Sequence, residues 1–162
     1  MKNPNFLSIL RTLRQQQIDF IVVGGVAGVL QGAPITTFDL DVVHSRDPGN
    51  IERLLAALEV LGARYRVPGA EQRKPERSHL LSSGHQLLMT RAGPLDLLGT
   101  IGHEHSYDDL IGKTIPLEIG KGLQVQVLKL ETLIKVKEET AGEKDKAALL
   151  ILRRTLQERP GT

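Results

Sequence analysis

Two carboxylates, Asp39 and Asp41, stand one residue apart in "TTFDLDVV", residues 36–43. Side chains alternate along a strand, so both acids project to one face while Leu40 and Val42 project to the other. Two unpaired carboxylates on one face repel each other and resist ionisation. A divalent cation removes the conflict, and Mg²⁺ takes a few carboxylate oxygens together with substrate phosphates rather than a full protein cage. In two-metal phosphoryl transfer, bound ions activate the attacking oxygen and steady the leaving one. Asp96 is the candidate for a third acid, because "PLDLLG" sets it in another short apolar strand. The competing reading is structural: single acids at strand edges also serve as caps and salt-bridge partners.

A second feature lies just upstream. Gly24-Gly25 follows the apolar strand "FIVV" and opens a helical segment. Glycines there let backbone N–H groups approach an anion closely, although a tight turn uses glycine equally well. A dinucleotide-binding loop is excluded, since Val26 and Ala27 occupy positions where G-x-G-x-x-G needs a further glycine. A Walker A loop is excluded because no Gly-Lys-Ser/Thr follows.

The elements that must position these residues follow from patterning. The chain has 162 residues, 40% hydrophobic and 25% charged, which suits a single domain over 1–162 with an ordinary core. No apolar run approaches the roughly 20 residues that cross a bilayer, and the N-terminus lacks a signal-peptide layout, so a cytoplasmic address is expected. Cysteine is absent, which excludes disulfides, thiolate metal sites and a Cys nucleophile. A net charge of +2 is too small a bias to argue for nucleic-acid binding by itself. With aromatics at 3%, no stacking platform for single strands is visible.

Along the chain, Asn5 caps a first helix whose Phe6, Ile9, Leu10 and Leu13 share a stripe. "DFIVVGG" is a buried strand, "VAGVLQG" a brief helix and "DLDVVHS" a second strand. Asp47-Pro48 starts a helix with Ile51, Leu54, Leu55 and Leu58 inward and Gly62 at its end. Residues 67–78 read as a loop; "HLLSS", "QLLMT" and "PLDLLG" read as strands, and 107–111 as a helical turn. "TIPLEIGKGLQVQVL" reads as a hairpin turning at Gly120-Lys121-Gly122. Helices over 130–140 and 144–157 close the chain, and Pro160 and Gly161 are expected to fray.

Taken together, "VVGGVAGVLQG", "TTFDLDVV" and "LDLL" resemble the minimal nucleotidyltransferase pattern of the polymerase-β-like superfamily. The segment "VLKLETLIKVKEETAGEKDKAALLIL" is similar to the C-terminal part of the AbiEii-type toxin-like subgroup. The resemblance spans about Asp19 to Leu152. It implies an α/β (α+β) fold with a mixed sheet flanked by helices and a helical C-terminus. It also implies NMP transfer from an NTP such as ATP to a hydroxyl on RNA, protein or a small molecule, with a toxin–antitoxin role. Under it Gly24 and Gly25 hold the triphosphate, with Thr37 touching phosphate. Asp39, Asp41 and Asp96 ligate two Mg²⁺ ions, with Mn²⁺ as the alternative, and Asp96 helps deprotonate the acceptor. Implied partners are tRNA or a partner protein as acceptor, an antitoxin, or a second copy of the chain. The alternative is a catalytically degenerate module of the same fold that binds nucleotide or a partner without turnover.

Helix geometry separately singles out Lys137, which shares the apolar stripe of Leu130, Leu133, Ile134 and Ala141. An inward lysine either snorkels to the rim or reaches an anion in a cleft, and the resemblance assigns it to the nucleotide. Lys144 and Asp145 match the pattern's later Lys-Asp pair, and otherwise pair charges at a helix start. Ile35 departs from the pattern, which often has Arg there. His103-Glu104-His105 has residue types that ligate metal, but the absence of a further spaced ligand pair and the glycine-flanked loop favour an ordinary loop, and His44 reads first as an ordinary strand-end histidine. Arg66, Arg73, Lys74 and Arg77 form a basic stretch, solvated or guiding an anionic acceptor. The apolar run "AALLIL" implies deep burial or a partner surface.

Overall fold

A computed structural model describes residues 3–159; Pro160 and Gly161 lie outside them. The helices are α1 (Phe6–Gln15), α2 (Gly24–Leu30), α3 (Pro48–Leu61), α4 (Arg77–Leu81), α5 (Tyr107–Leu110), α6 (Leu130–Glu139) and α7 (Lys146–Gln157). The strands are β1 (Phe20–Val23), β2 (Leu40–His44), β3 (Arg64–Tyr65), β4 (His85–Thr90), β5 (Gly93–Leu98), β6 (Thr100–Ile101), β7 (His105–Ser106), β8 (Thr114–Glu118) and β9 (Gln124–Leu128).

Local chemistry sets many of the boundaries. Asn5 Oδ1 accepts from the Ser8 N–H at 3.1 Å and starts α1. Pro48 occupies the first turn of α3, and Gly62, left-handed at φ 64°, ends it. "HLLSS" is a correction: its first three residues are helical, in α4, and not a strand. There Glu76 and His79 form a reciprocal capping box, and only Leu80 of the apolar pair is buried. Helix α6 ends at Glu139, so Ala141 lies outside the stripe and is exposed.

Seven strands form a mixed sheet in the order β3-β4-β5-β2-β1-β9-β8. Strand β2 pairs antiparallel with β1 and parallel with β5, and β1 runs parallel to β9. The remaining pairs, β3/β4, β4/β5 and β8/β9, are antiparallel, and β6/β7 make a separate small hairpin. One parity of the central strands, Leu40 and Val42, Leu95 and Leu97, with Leu88, is fully buried. Helices α1, α3 and α4 pack in sequence, as do α2, α6 and α7.

Two side-chain amides, one buried and one half-buried, tie these layers. Asn50, with no exposed surface, accepts from Asp19 N–H at 2.8 Å and donates to Asp19 and Ser45 carbonyls at 3.2 and 2.8 Å. Gln31 donates to the Ala27 and Leu128 carbonyls at 3.0 and 2.8 Å and accepts from Leu130 N–H at 3.1 Å. It thereby joins the end of α2, the end of β9 and the start of α6.

Removing the first tie leaves buried peptide groups without partners. Asn50→Ala is expected to cost about 3 kcal/mol of stability, read from the midpoint of urea unfolding.

Candidate active site

Register builds the acid cluster. Asp41 on β2 sits directly beside Asp96 on parallel β5, and Asp39 shares their parity just before β2 begins. One carboxylate oxygen from each of Asp39, Asp41 and Asp96 lies within 4.8 Å of the other two. Among the described residues this is the one group of three or more acids or histidines that converges so closely. Burial, then Asp39 and Asp96, pushes Asp41 up to about 8. Asp39 is raised as well, first by burial and then by Asp96.

Arg66 opposes that repulsion. Its Nη1 lies 2.8 Å from Asp96 Oδ1 and its Nη2 3.8 Å from Asp39 Oδ2, while Nη1 also donates to the Leu88 carbonyl. Sequence reading placed Arg66 only in a basic stretch; its role at the acids depends on β3, a two-residue strand with no pattern to detect. The rest of that stretch serves the protein's own surface. Lys74 pairs with Glu59, Arg77 with Glu52, and Arg73 meets His79.

The glycines are required by close approach. Gly24 follows β1, whose Val23 is the register partner of Asp41, and has φ 65°. A Cβ there would stand 2.3 Å from Asp41 Oδ2. A Cβ on Gly25 would stand 3.1 Å from Thr37 Oγ1, which itself donates to the Asp39 carbonyl at 3.0 Å. Gly24, Gly25, Thr37, Asp39, Asp41 and Lys137 line one cleft of about 450 Å³. Asp96, beside Asp41 in the sheet, is 7% exposed. Apolar residues line the cleft as well: Ile35, Leu133, Val136 and Leu152. Ile35 therefore extends this apolar lining where the resemblance led one to expect Arg.

Lys137 reaches the cleft from α6, with Nζ 3.5 Å from Asp145 Oδ1. The Gly142 N–H and Lys137 hold the Asp145 carboxyl below its ordinary value. Lys144, its sequence neighbour, is exposed. His44 falls on the parity of Leu40 and Val42, buried and away from the acids. His103 and His105 turn to Glu139, which accepts from the His103 N–H at 2.9 Å and meets His105 Nε2 at 2.9 Å. This clasp fastens the β6/β7 hairpin to α6. In α7, Leu149 and Leu152 are buried while Leu150 faces outward.

The donor set fits a divalent cation. Asp41 Oδ1 is buried with no hydrogen-bond partner, and three crowded carboxylates offer hard oxygen ligands.

No sequence-family model matches the chain, and no curated protein matches it. Solved structures do. The lincosamide antibiotic adenylyltransferase LnuA, lincomycin-bound, aligns with a TM-score of 0.64 at 13% identity, covering 95% of this chain and 99% of that one. The antibiotic-resistance factor ANT(2'')-Ia, in complex with adenylyl-2''-tobramycin, gives 0.59 at 16% identity over 93% and 87%. A Thermotoga maritima protein described as a nucleotidyltransferase gives 0.56 at 19% identity over 95% and 91%. At these identities the likeness establishes the architecture: the chain has the nucleotidyltransferase fold, a mixed sheet with a helical C-terminus.

The acid cluster makes stability depend on pH. Asp41 keeps its proton up to about pH 8 in the fold, against 3.8 as its ordinary value. The unfolded chain thus releases protons first, and metal-free stability falls as pH rises from about 4 to about 8. Melting of chelator-treated protein is expected at lower temperature at pH 8.5 than at pH 5.5. Mg²⁺ raises it at the higher pH, and Asp41→Asn flattens both responses.

Proposed function

We propose that this chain is a metal-dependent nucleotidyltransferase that moves NMP from an NTP to a hydroxyl acceptor. The observation that carries the reading is the convergence of Asp39, Asp41 and Asp96 at a cleft whose walls also hold Gly24, Gly25 and Lys137. Mg²⁺ held by the three aspartates would neutralise charge on the α-phosphate and favour ionisation of the acceptor hydroxyl.

The chain's own groups divide the remaining work. The acceptor oxygen forms a bond to the α-phosphorus, the bond from phosphorus to the bridging oxygen breaks, and pyrophosphate leaves with that electron pair. Asp96 takes the hydroxyl proton. The Gly24-Gly25 backbone, open because neither residue carries a Cβ, accommodates the phosphates, with Thr37 beside them. Lys137, presented by Asp145, balances the charge of the leaving pyrophosphate. The apolar wall of Ile35, Leu133, Val136 and Leu152 excludes water and receives the nucleoside. The named neighbours that transfer adenylyl groups make ATP the first nucleotide to test.

A degenerate binding module is the second reading, favoured by Ile35, which leaves the apolar wall without an arginine for the phosphates. A toxin–antitoxin role with tRNA or a partner protein as acceptor rests on the sequence resemblance alone.

Labelled NTPs, Mg²⁺ and a panel of RNA, protein and small-molecule acceptors separate these readings. Transfer is expected in the wild type, falling on the order of a hundredfold or more in Asp39→Ala and Asp41→Ala. Lys137→Ala is expected to raise the KM for NTP roughly tenfold. Metal-dependent NTP binding with no transfer to any acceptor would leave the binding module; absence of both would sink the site reading.

A further inference from the structure

The open face beside the acids identifies where the acceptor comes from and what kind of molecule it is. In-line displacement places attacking and leaving oxygens on opposite sides of phosphorus. Gly24 and Gly25 follow β1, on one side of Asp41 in the sheet order, whereas Asp96 and then β4 lie on the other. With the leaving group over the glycines and Lys137, the acceptor must approach across β5 and β4.

Register shows what waits there. Asp41, Asp96 and Leu87 are successive partners across β2, β5 and β4, so all three project from one face. Met89, two residues on, shares that face and sits opposite Arg64 of β3. Strand β4 alternates as a half-covered strand should, with Leu88 and Thr90 buried and the other parity open. The open parity of such a strand is ordinarily polar, yet here it carries Leu87, 38% exposed, and Met89, 42% exposed. Leu87 and Met89 therefore give the β4 side of the acids an apolar surface.

Charge narrows the occupant. The charged neighbours there are Arg64 on β3 and Arg66 just after it, which disfavour a cluster of amines. Arg66 is already paired with Asp96 and Asp39, and Arg64, whose Nη1 donates to the neutral Ala63 carbonyl at 2.9 Å, is one cation where a phosphate backbone is held by several. We propose that Leu87 and Met89 form the acceptor subsite, and that the acceptor is a small hydroxylated molecule with an apolar or planar body and no cluster of amines. The inference rests on the nucleotidyl-transfer reading. The body lies on Leu87 and Met89 and the reacting hydroxyl over Asp96; its oxygen bonds to phosphorus, its proton passes to Asp96, and pyrophosphate departs with the electron pair of the broken bond.

The chain contains 2 methionines, Met1 and Met89, so methyl-¹³C methionine labelling gives one internal reporter within the strip. Labelled protein is saturated with Mg²⁺ and non-transferable α,β-methylene-ATP, with nucleotide binding followed separately by calorimetry. It is then titrated with phenyl β-D-glucoside, glucose, neomycin and tRNA. The Met89 resonance is expected to shift saturably with the aryl glucoside at a concentration at least tenfold below glucose, and not with neomycin or tRNA. Leu87→Ser is expected to weaken that response about tenfold. A Met89 signal that answers first to neomycin or tRNA, or to none of the four while the nucleotide analogue still binds, overturns the acceptor assignment alone. Failure of the analogue to bind overturns the nucleotidyl-transfer reading, and the acceptor subsite with it.

Discussion

Three carboxylates crowded into a half-buried corner repel one another, and the surrounding structure has to hold them there. Parallel pairing of β2 with β5 sets Asp41 and Asp96 side by side, and the strand parity adds Asp39. Neither acid can retreat, because the alternate residues, Leu40, Val42, Leu95 and Leu97, are fully committed to the core. A slip of one residue would bury the acids and expose that apolar set. The repulsion is thus supported by hydrophobic burial on the far side of the same strands. Arg66 offsets part of it, while burial first, and then Asp39 and Asp96, keep Asp41 raised.

The same constraint explains the shape of the cleft. Gly24 has to lack a side chain because Asp41 occupies the space a Cβ would take. What remains is a cavity lined by acids and glycines together with an apolar surface. That surface comes largely from α6 and α7, so the C-terminal helices are part of the cleft and not an appendage. Gln31 couples them to the glycine-led helix α2 by bonding at once to its last turn, to β9 and to the start of α6. The β6/β7 hairpin is fixed to α6 by Glu139, for which Gly102 makes room at φ 57°. Lys137 is consequently held at the cleft from a helix anchored at both ends.

Features legible in the sequence share a property: each depends on neighbours within a few residues. Strand alternation placed Asp39 and Asp41 together, helical spacing turned Lys137 inward, and the Asn5 and Pro48 signals marked helix starts. The errors have the same origin in reverse. "HLLSS" carries too few residues for its period to distinguish strand from helix, and the capping box between Glu76 and His79 decided it. The local pattern around His103–His105 named no partner for those histidines, and a glutamate 34 positions away from His105 in the chain takes that one up. No local signal joined Arg66 to the acids.

The sequence by itself determined which residues alternate, where helices begin, which backbone positions lack a Cβ, and that three acids sit on short apolar strands. Tertiary structure decided that β5 lies beside β2 and in which register, which turned a separate Asp96 into a neighbour of Asp41. It also decided that Arg66 faces those acids and that Leu87 and Met89 lie on the open side of them. The physical reason is that strand order and register are set by the packing of whole faces, summed over many apolar side chains, and no single residue carries that information.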